Sequence, residues 1–548
     1  MKKSIKYIVI VAVIFILGAC SEDFLNLTPE DRLTADNFYR TESEIRSGTA
    51  SMYGFPWFNF NDKFFWLAGD CMSGNLYYTY DQEGQYYYMS FNAGNSYLSQ
   101  GWIGLFRVIS YANSIINDMP RIALENVSEE IVNQALGEAR FIRATAYYIL
   151  AEFWGEVPIV ENSTALVTSN NMILPKNTRS SVYEFIKRDL EFAIENIKPD
   201  EAEEGRVTQW SAKGMLAKLY LTMAQDPSDP NSDQYFTMAK QYAEDVIVNS
   251  GLTLMPSYYD LFRLENDNNP ESLFALQWIK AGYATGNSRN ANWARSSVIA
   301  DQQWGGGKGC TYDLQQIIEP GDLRRKAIYM TLDDEYPELN QADGGYTYKF
   351  EVPDPVNPNN NIESPNNVLN HLKKYVIGKS ADVNGQVGID QDAANNNYIL
   401  RLADVYLIYA EAALGSGAET SDETALEYFN AIRERAGLQP KTRITFEDIL
   451  SERRVEFALE SMFWFDIKRY YYRNPTGAID YLNAQKRHYI YQRIDGTDDA
   501  NTWDSWELDS TTNDVISVYA GDMFLPIPEA EVIINPLLLE DAVDYEFE

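Results

Sequence analysis

Apolar residues recur at three- and four-residue spacing over long stretches of this chain, which is the signature of helices with one buried face. Across 180–198, Val182, Phe185, Ile186, Leu190, Ala193, Ile194 and Ile197 form one stripe that ends before Pro199, and Ser181 with Glu184 has capping-box spacing. The stretch 128–154 opens with Glu129 and Glu130, where a helix dipole favours negative charge. Stretch 208–225 carries Met215, Leu216, Leu219 and Tyr220 on one face, and 232–249 ends against Gly251. A second cluster follows: 398–415, then 422–436 stopped by Gly437, then 445–472, in which Thr445 precedes Asp448 by three residues.

Helices of this length joined in pairs by short turns predict a mostly α fold, a tetratricopeptide-like helical-pair scaffold. The helical period lapses over 252–397, where Gly305-Gly306-Gly307, an Asn/Pro-rich run from Pro353 to Asn367, and strand-like stretches at Leu273–Trp278 and Tyr346–Phe350 replace it. Segment 54–102 is likewise dense in Gly, Asn, Asp and Tyr without a sustained period. No composition break marks a linker, so 20–548 reads as one domain of two interleaved parts. Its scaffold lies mainly in 28–53, 103–250 and 398–485, and its loop-rich, ligand-binding part, with a few short strands, mainly in 54–102 and 252–397.

Composition narrows the function. The 548 residues carry 80 acidic against 45 basic side chains, net −35, a balance that disfavours wrapping nucleic acid because phosphates demand clustered Lys and Arg. Two histidines, His371 and His488, leave little for imidazole metal or proton-shuttle chemistry. At the N-terminus, Lys2, Lys3 and Lys6 precede an apolar run from Tyr7 to Ala19, too short to span a bilayer and typical of a secretion signal over 1–19. Its end, Leu17-Gly18-Ala19-Cys20, resembles a bacterial lipobox, which makes Cys20 the expected lipidation site and the membrane contact a lipid anchor only. Cys71 and Cys310 are left, paired or free.

No Gly-x-Ser-x-Gly, His-Glu-x-x-His or Cys-x-x-Cys occurs, and the glycines before Lys308 lack phosphate-loop spacing. Glu452, Glu456 and Glu460 share one helical face, which is either a glycosidase-like carboxylate set or, with Arg453, Arg454 and Lys468 nearby, an ion-pair network. Glu411 poses the same choice. Asp495, Asp498, Asp499 and Asp504 offer oxygen ligands for a structural calcium, without EF-hand spacing, and no other cofactor is expected.

Tyr, Phe and Trp make up 14% of the chain, and their setting divides them. Rings at helical spacing belong to the core; rings in polar, glycine-rich loops either stack on a ligand or pack beneath the loops as satellite clusters. The loop rings proposed for carbohydrate are Trp293, Tyr77, Tyr78, Tyr283, Trp304, Tyr80 and Tyr87. A sugar ring has an apolar C–H face and a hydroxyl rim, which suits flat rings beside amides and carboxylates.

Several motifs occur in one order: Asp23-Phe24-Leu25-Asn26-Leu27-Thr28-Pro29; Ala139-Arg140-Phe141-Ile142-Arg143-Ala144 running to Phe153-Trp154-Gly155-Glu156-Val157-Pro158; Arg401-Leu402-Ala403-Asp404; Asn430-Ala431-Ile432-Arg433-Glu434-Arg435-Ala436-Gly437; Glu452-Arg453-Arg454-Val455-Glu456; and Leu525-Pro526-Ile527-Pro528 to Asn535-Pro536. In this order the chain resembles the SusD/RagB-like outer-membrane nutrient-binding lipoproteins of Bacteroidetes. One departure is Ser461-Met462-Phe463, where the family commonly has Gly-x-Arg. The resemblance implies a cell-surface lipoprotein that does no catalysis, captures oligosaccharide or polysaccharide and delivers it to a SusC-like TonB-dependent transporter. Ser21-Glu22-Asp23 resembles the signal that exports such lipoproteins to the outer face of the outer membrane. The alternatives are a helical-repeat protein that binds a peptide or protein for import, and a glycoside hydrolase.

Overall fold

The computed structural model describes residues 38–547 apart from 170–171, 201–202, 358 and 512–515. The expected signal 1–19, the lipidation site Cys20 and the start of the scaffold lie outside these residues. The helices that carry the scaffold are α1 (Glu42–Ala50), α2 (Ser96–Ala123), α3 (Glu129–Trp154), α4 (Arg179–Asn196), α5 (Gln209–Ala224), α6 (Ser232–Asn249), α7 (Leu402–Leu414), α8 (Glu423–Arg435), α9 (Phe446–Glu456), α10 (Phe463–Arg473) and α11 (Pro475–Ala484). Neighbours in sequence pack as antiparallel pairs, α2 on α3, α3 on α4, α5 on α6 and α7 on α8, and α6 on α7 joins the early helices to the late ones. The short strands used below are β1 (Leu76–Tyr77), β2 (Ser272–Leu276), β3 (Gly309–Cys310), β4 (Asn397–Arg401), β5 (Ile490–Arg493) and β6 (Trp506–Asp509).

Local chemistry sets most boundaries where the apolar pattern predicts them. The cap of α4 is Thr178 rather than Ser181: its Oγ1 accepts the Ser181 N–H. Thr445 and Asp448 do form the reciprocal box that opens α9. Three expectations fail. Helix α2 begins inside the segment read as irregular, because Asn95 Oδ1 accepts the N–H groups of Tyr97 and Leu98 and so caps it. The stretch 398–415 opens as a strand, since Asn397–Arg401 is buried throughout and pairs antiparallel with β2, Asn397 opposite Leu276. The stretch 445–472 is two helices.

The break between α9 and α10 has a specific cause. Leu459 and Ser461 sit at φ 64° and 68°, left-handed conformations that disfavour side chains. The Asp70 carboxylate accepts both their N–H groups, at 3.0 and 2.9 Å, and Arg289 donates to the Leu459 carbonyl and to Ser461 Oγ. Ser461 thus stands in a glycine-like conformation at the position where the resembled family has glycine. A Cβ on Gly69 would lie 2.2 Å from the Ser461 carbonyl oxygen, so this close crossing of two backbones also requires a glycine.

One hydrophobic core runs through both parts, from Ile45 to Leu525, with a small satellite of Ile377, Val387 and Ala393 beneath the loops. Much of the segment expected to bind ligand is therefore interior. Trp57, Phe60, Phe64, Phe65 and Trp66 are fully buried along a segment that runs from a short turn at Phe55–Trp57 through two π-helical turns, Phe60–Phe64 and Leu67–Cys71. Gly101 and Gly104 of α2 let that segment approach, since a Cβ there would meet the Phe64 ring at 2.3 Å and the Phe60 nitrogen at 2.6 Å. Cys71 and Cys310 are both buried free thiols.

Candidate functional site

The three carboxylates read as one helical face do not share a helix, since Glu452 and Glu456 lie on α9 and Glu460 in the turn after it, and their partners resolve their role. Glu456 accepts from Arg401 at 2.6 Å, from Arg324 at 3.0 Å and from Arg435; Glu452 accepts from Arg324 and Arg433; Glu460 accepts from Arg401 and Lys374. All three are at least 96% buried. Burial pushes the Glu456 carboxyl up, but Arg435, Arg401 and Arg324 more than offset that and hold it well below the carboxylate range. A general acid needs the opposite shift and access to substrate. Glu411 is likewise bound, by Arg469 at 2.9 Å and by Gln225 at 3.0 Å. These groups fasten helices together.

The acidic loop between β5 and β6 is equally plain. Among the described residues, Asp495, Asp498, Asp499 and Asp504 do not gather into a group able to hold a metal, and Asp499 Oδ1 is spent on the Asn501 N–H. The calcium expectation is corrected accordingly: the turn spends one of these carboxylates on its own backbone and does not gather the others.

The aromatic set divides sharply. Trp293 is 0% exposed: it lies in the short helix Arg289–Trp293, with the Arg289 guanidinium 5.1 Å from its centroid and Tyr375 at 5.8 Å. Tyr87 is sealed, its hydroxyl donating to the Arg487 carbonyl at 2.6 Å. Tyr77 is buried in β1, and its hydroxyl accepts from Asn367 Nδ2 at 3.1 Å. Trp293 and Tyr87 leave the candidate list, because the loops here fold back over a real core and these rings fill it; Tyr77, though mostly buried, lines the groove described below. Tyr80, Tyr283 and Trp304 are 70%, 63% and 47% exposed, and Tyr78 is partly exposed.

Two of the exposed rings rest on buried residues. Tyr283 stands edge-on to buried Phe58 at 5.0 Å. Trp304 is carried by the glycine run: its N–H donates to Ala291 O at 2.8 Å and that of Gly305 to Ala294 O at 2.9 Å, so the run lies directly on the helix Arg289–Trp293. A Cβ on Gly305 would fall 2.1 Å from the Trp293 carbonyl oxygen, so only glycine permits this seat. His371 supports the next residue. Burial, then Arg295, depresses its pKa well below the usual imidazole value, and the neutral ring donates from Nε2 to Gly306 O at 2.9 Å while Nδ1 accepts from Tyr348.

Tyr78 and Tyr80 lie 6.5 Å apart and, with Tyr77, Thr79, Gly306, Gly307, Pro365, Asn366 and Asn367, line a groove of about 410 Å³. Lys308 lies against Tyr78, fully buried, its Nζ 4.2 Å from the Tyr78 centroid and donating to Trp304 O at 2.9 Å. Beside it Lys63 pairs with Glu83 at 2.9 Å, and Tyr97, pushed up to about 12 by burial and by Glu83, closes the cluster. Sequence reasoning missed Lys308, Glu83 and Tyr97, since nothing in their spacing signals that β1 and β3 pair, Tyr77 opposite Gly309, to bring them together.

Burial, and then the neighbouring Lys63, lowers Lys308 to about 7. The unfolded chain, with an ordinary lysine value near 10.4, binds more protons from about pH 7 to 10, so stability rises with pH in that window. The lead of Lys308→Met over the wild type in urea-unfolding free energy should therefore shrink between pH 7 and 9, by up to about 1.4 kcal/mol per unit. A constant difference would mean that Lys308 stays charged throughout.

A wider cleft, about 720 Å³, lies elsewhere, among the ends of α3, α4, α5 and α10, where Arg179, Tyr183, Asp226 and Tyr472 line it. It offers no ring exposed like Tyr80, Tyr283 or Trp304.

The SusD family profile matches residues 221–543, and a second, described as starch-binding and associating with outer membrane, matches 23–221. A SusD-like protein of Bacteroides ovatus is 35% identical over 99% of this chain and 98% of its own length. A structure crystallised with xylogluco-oligosaccharide superposes with a TM-score of 0.81 at 34% identity, covering 92% of this chain and 99% of that one. A laminarin-binding SusD-like protein shares the fold at 21% identity, TM-score 0.66, over 91% and 98%. With its helical-pair scaffold, its irregular ring-bearing face and these matches along nearly its whole length, the chain belongs to the SusD family.

Proposed function

We propose that this protein captures a glycan on the face formed by Tyr80, Tyr283 and Trp304, with Tyr78 and the adjoining groove, and makes no covalent change to it. The observation that carries this reading is that Tyr80, Tyr283 and Trp304 stay 70%, 63% and 47% exposed, with Tyr283 and Trp304 resting on buried residues. Flat rings held in place lose little entropy on stacking against a sugar, and Asn367, Thr79 and the loop carbonyls offer the hydroxyl rim its partners. The similar structure crystallised with xylogluco-oligosaccharide supports the ligand class. The arrested carboxylates of α9 speak against a hydrolase, and no observation favours a peptide ligand over a sugar.

In this reading Cys20 carries a lipid that holds the protein at the outer membrane, facing outward, and a SusC-like TonB-dependent transporter receives the captured chain. No described helix is long and apolar enough to cross a membrane, and the profile description places its family at the outer membrane.

Affinity electrophoresis through gels containing xyloglucan or laminarin tests the capture. Wild-type protein should be retarded by at least one. Trp304→Ala and Tyr283→Ala should each weaken binding by about 1–2 kcal/mol, roughly five- to thirtyfold, with the thermal transition little changed. Unaltered retention of both variants would remove this face from the function, and new reducing ends released at substoichiometric protein would make the chain an enzyme.

A further inference from the structure

The strand pair β5–β6, with Ile490 opposite Asp509 and Arg493 opposite Trp506, lies beside a second group of rings at the edge of the core. Trp503 is 44% exposed, although one edge is anchored on buried Phe350 at 4.9 Å. Tyr491 lies 5.8 Å from it, and Tyr312 lies 6.3 Å beyond Tyr491. Both tyrosines are partly exposed. Trp503 is thus fixed from behind and open in front, the same arrangement that marks Tyr283 and Trp304.

This hairpin is joined to the groove at one residue. Asn367 lines the groove, donates to Tyr77 through Nδ2 at 3.1 Å, and accepts the Tyr491 N–H on its main-chain oxygen at 2.8 Å. The rings therefore follow one another as Tyr80, Tyr78, then across Asn367 to Tyr491 and Trp503. Asp498, Asp499 and Asp504, close to Trp503 in sequence, are exposed. Carboxylates accept hydroxyl hydrogen bonds and repel an acidic ligand, so the row suits uncharged sugar units.

We propose that the β5–β6 hairpin is a second glycan subsite, centred on Trp503, which takes the continuation of the same polysaccharide chain that lies in the Tyr78–Tyr80 groove. The proposal rests on the glycan reading above. Continuity through Asn367 selects the occupant: a chain leaving the groove on that side meets Tyr491 next. A ligand long enough to reach Trp503 gains an added stacking contact, whereas a short oligosaccharide held in the groove does not.

Calorimetric titration of the full chain with xyloglucan polysaccharide and with a short xylogluco-oligosaccharide tests this; if laminarin alone retards the wild type, laminarin and its oligosaccharides replace them. Trp503→Ala should weaken polysaccharide binding about two- to tenfold and leave oligosaccharide binding unchanged. Trp503→Leu, which keeps an apolar contact with Phe350 but removes the flat ring, should behave like Trp503→Ala, and Trp503→Phe should stay close to the wild type. Trp304→Ala should weaken both ligands. Wild-type polysaccharide affinity in Trp503→Leu, or equal losses for both ligands, would overturn the subsite while leaving the groove reading intact. Failure of the wild type to bind either polysaccharide would instead overturn the glycan reading, and the subsite with it.

Discussion

Trp293→Ala should destabilise the protein by about 3–5 kcal/mol, the range for truncating a large aromatic ring in a packed interior, and should do so without removing a glycan contact. The ring is fully buried between Arg289 and Tyr375, and the Arg289 guanidinium also lies 5.7 Å from the Phe65 ring. Removing the indole leaves that cation facing a cavity, so the loss of its aromatic partner adds to the loss of packing. The indole Nε1 has no hydrogen-bond partner among the described residues, so Trp293→Phe sacrifices no bond and should cost much less. Denaturant midpoints of the two variants check this, and glycan retention of the folded Trp293→Ala protein should stay near the wild type. A large loss of retention with an unchanged midpoint would place Trp293 in the ligand face after all.

Arg401→Met should be at least as damaging, about 3–5 kcal/mol at neutral pH, because its guanidinium is shared by Glu271, Glu456 and Glu460, all buried. Arg435 and Lys374 hold parts of these carboxylates but leave their charges incompletely matched. The acid dependence carries the diagnosis. In the wild type the folded pKa of Glu456 is depressed, so its contribution is fully present above the unfolded value near 4.3 and is lost as pH falls through the folded value. In Arg401→Met the orphaned carboxylates take up protons more readily, so the gap between variant and wild type should narrow from pH 7.5 to 5. Urea unfolding at both values measures it; a gap that does not change with pH would mean that Arg401 acts through packing alone.

Both predictions turn on residues whose type was plain from the chain and whose surroundings were not. The apolar stripes of α3, α4, α5, α6 and α8 were legible because a helix satisfies its backbone internally and needs only one buried face, which period and capping residues reveal. The same logic failed at Leu459 and Ser461, where a distant Asp70 replaces the helical bonds, and at Asn397–Arg401, which a strand more than 100 residues earlier claims. For the rings, loop composition separated candidates from core but could not order them. Trp293 and Trp304 sit in the same glycine-rich stretch, yet Gly305 lies flat on the Trp293 carbonyl, sealing one indole and lifting the other into solvent.

What the sequence alone determined, then, is the α scaffold and the supply of rings on irregular segments, because periodicity and turn chemistry act over a few residues. Which rings face water, and that the hairpin at Tyr491 adjoins the groove at Asn367, was decided only by the tertiary structure. Exposure depends on which distant backbone lies on top, and no short-range rule reports that.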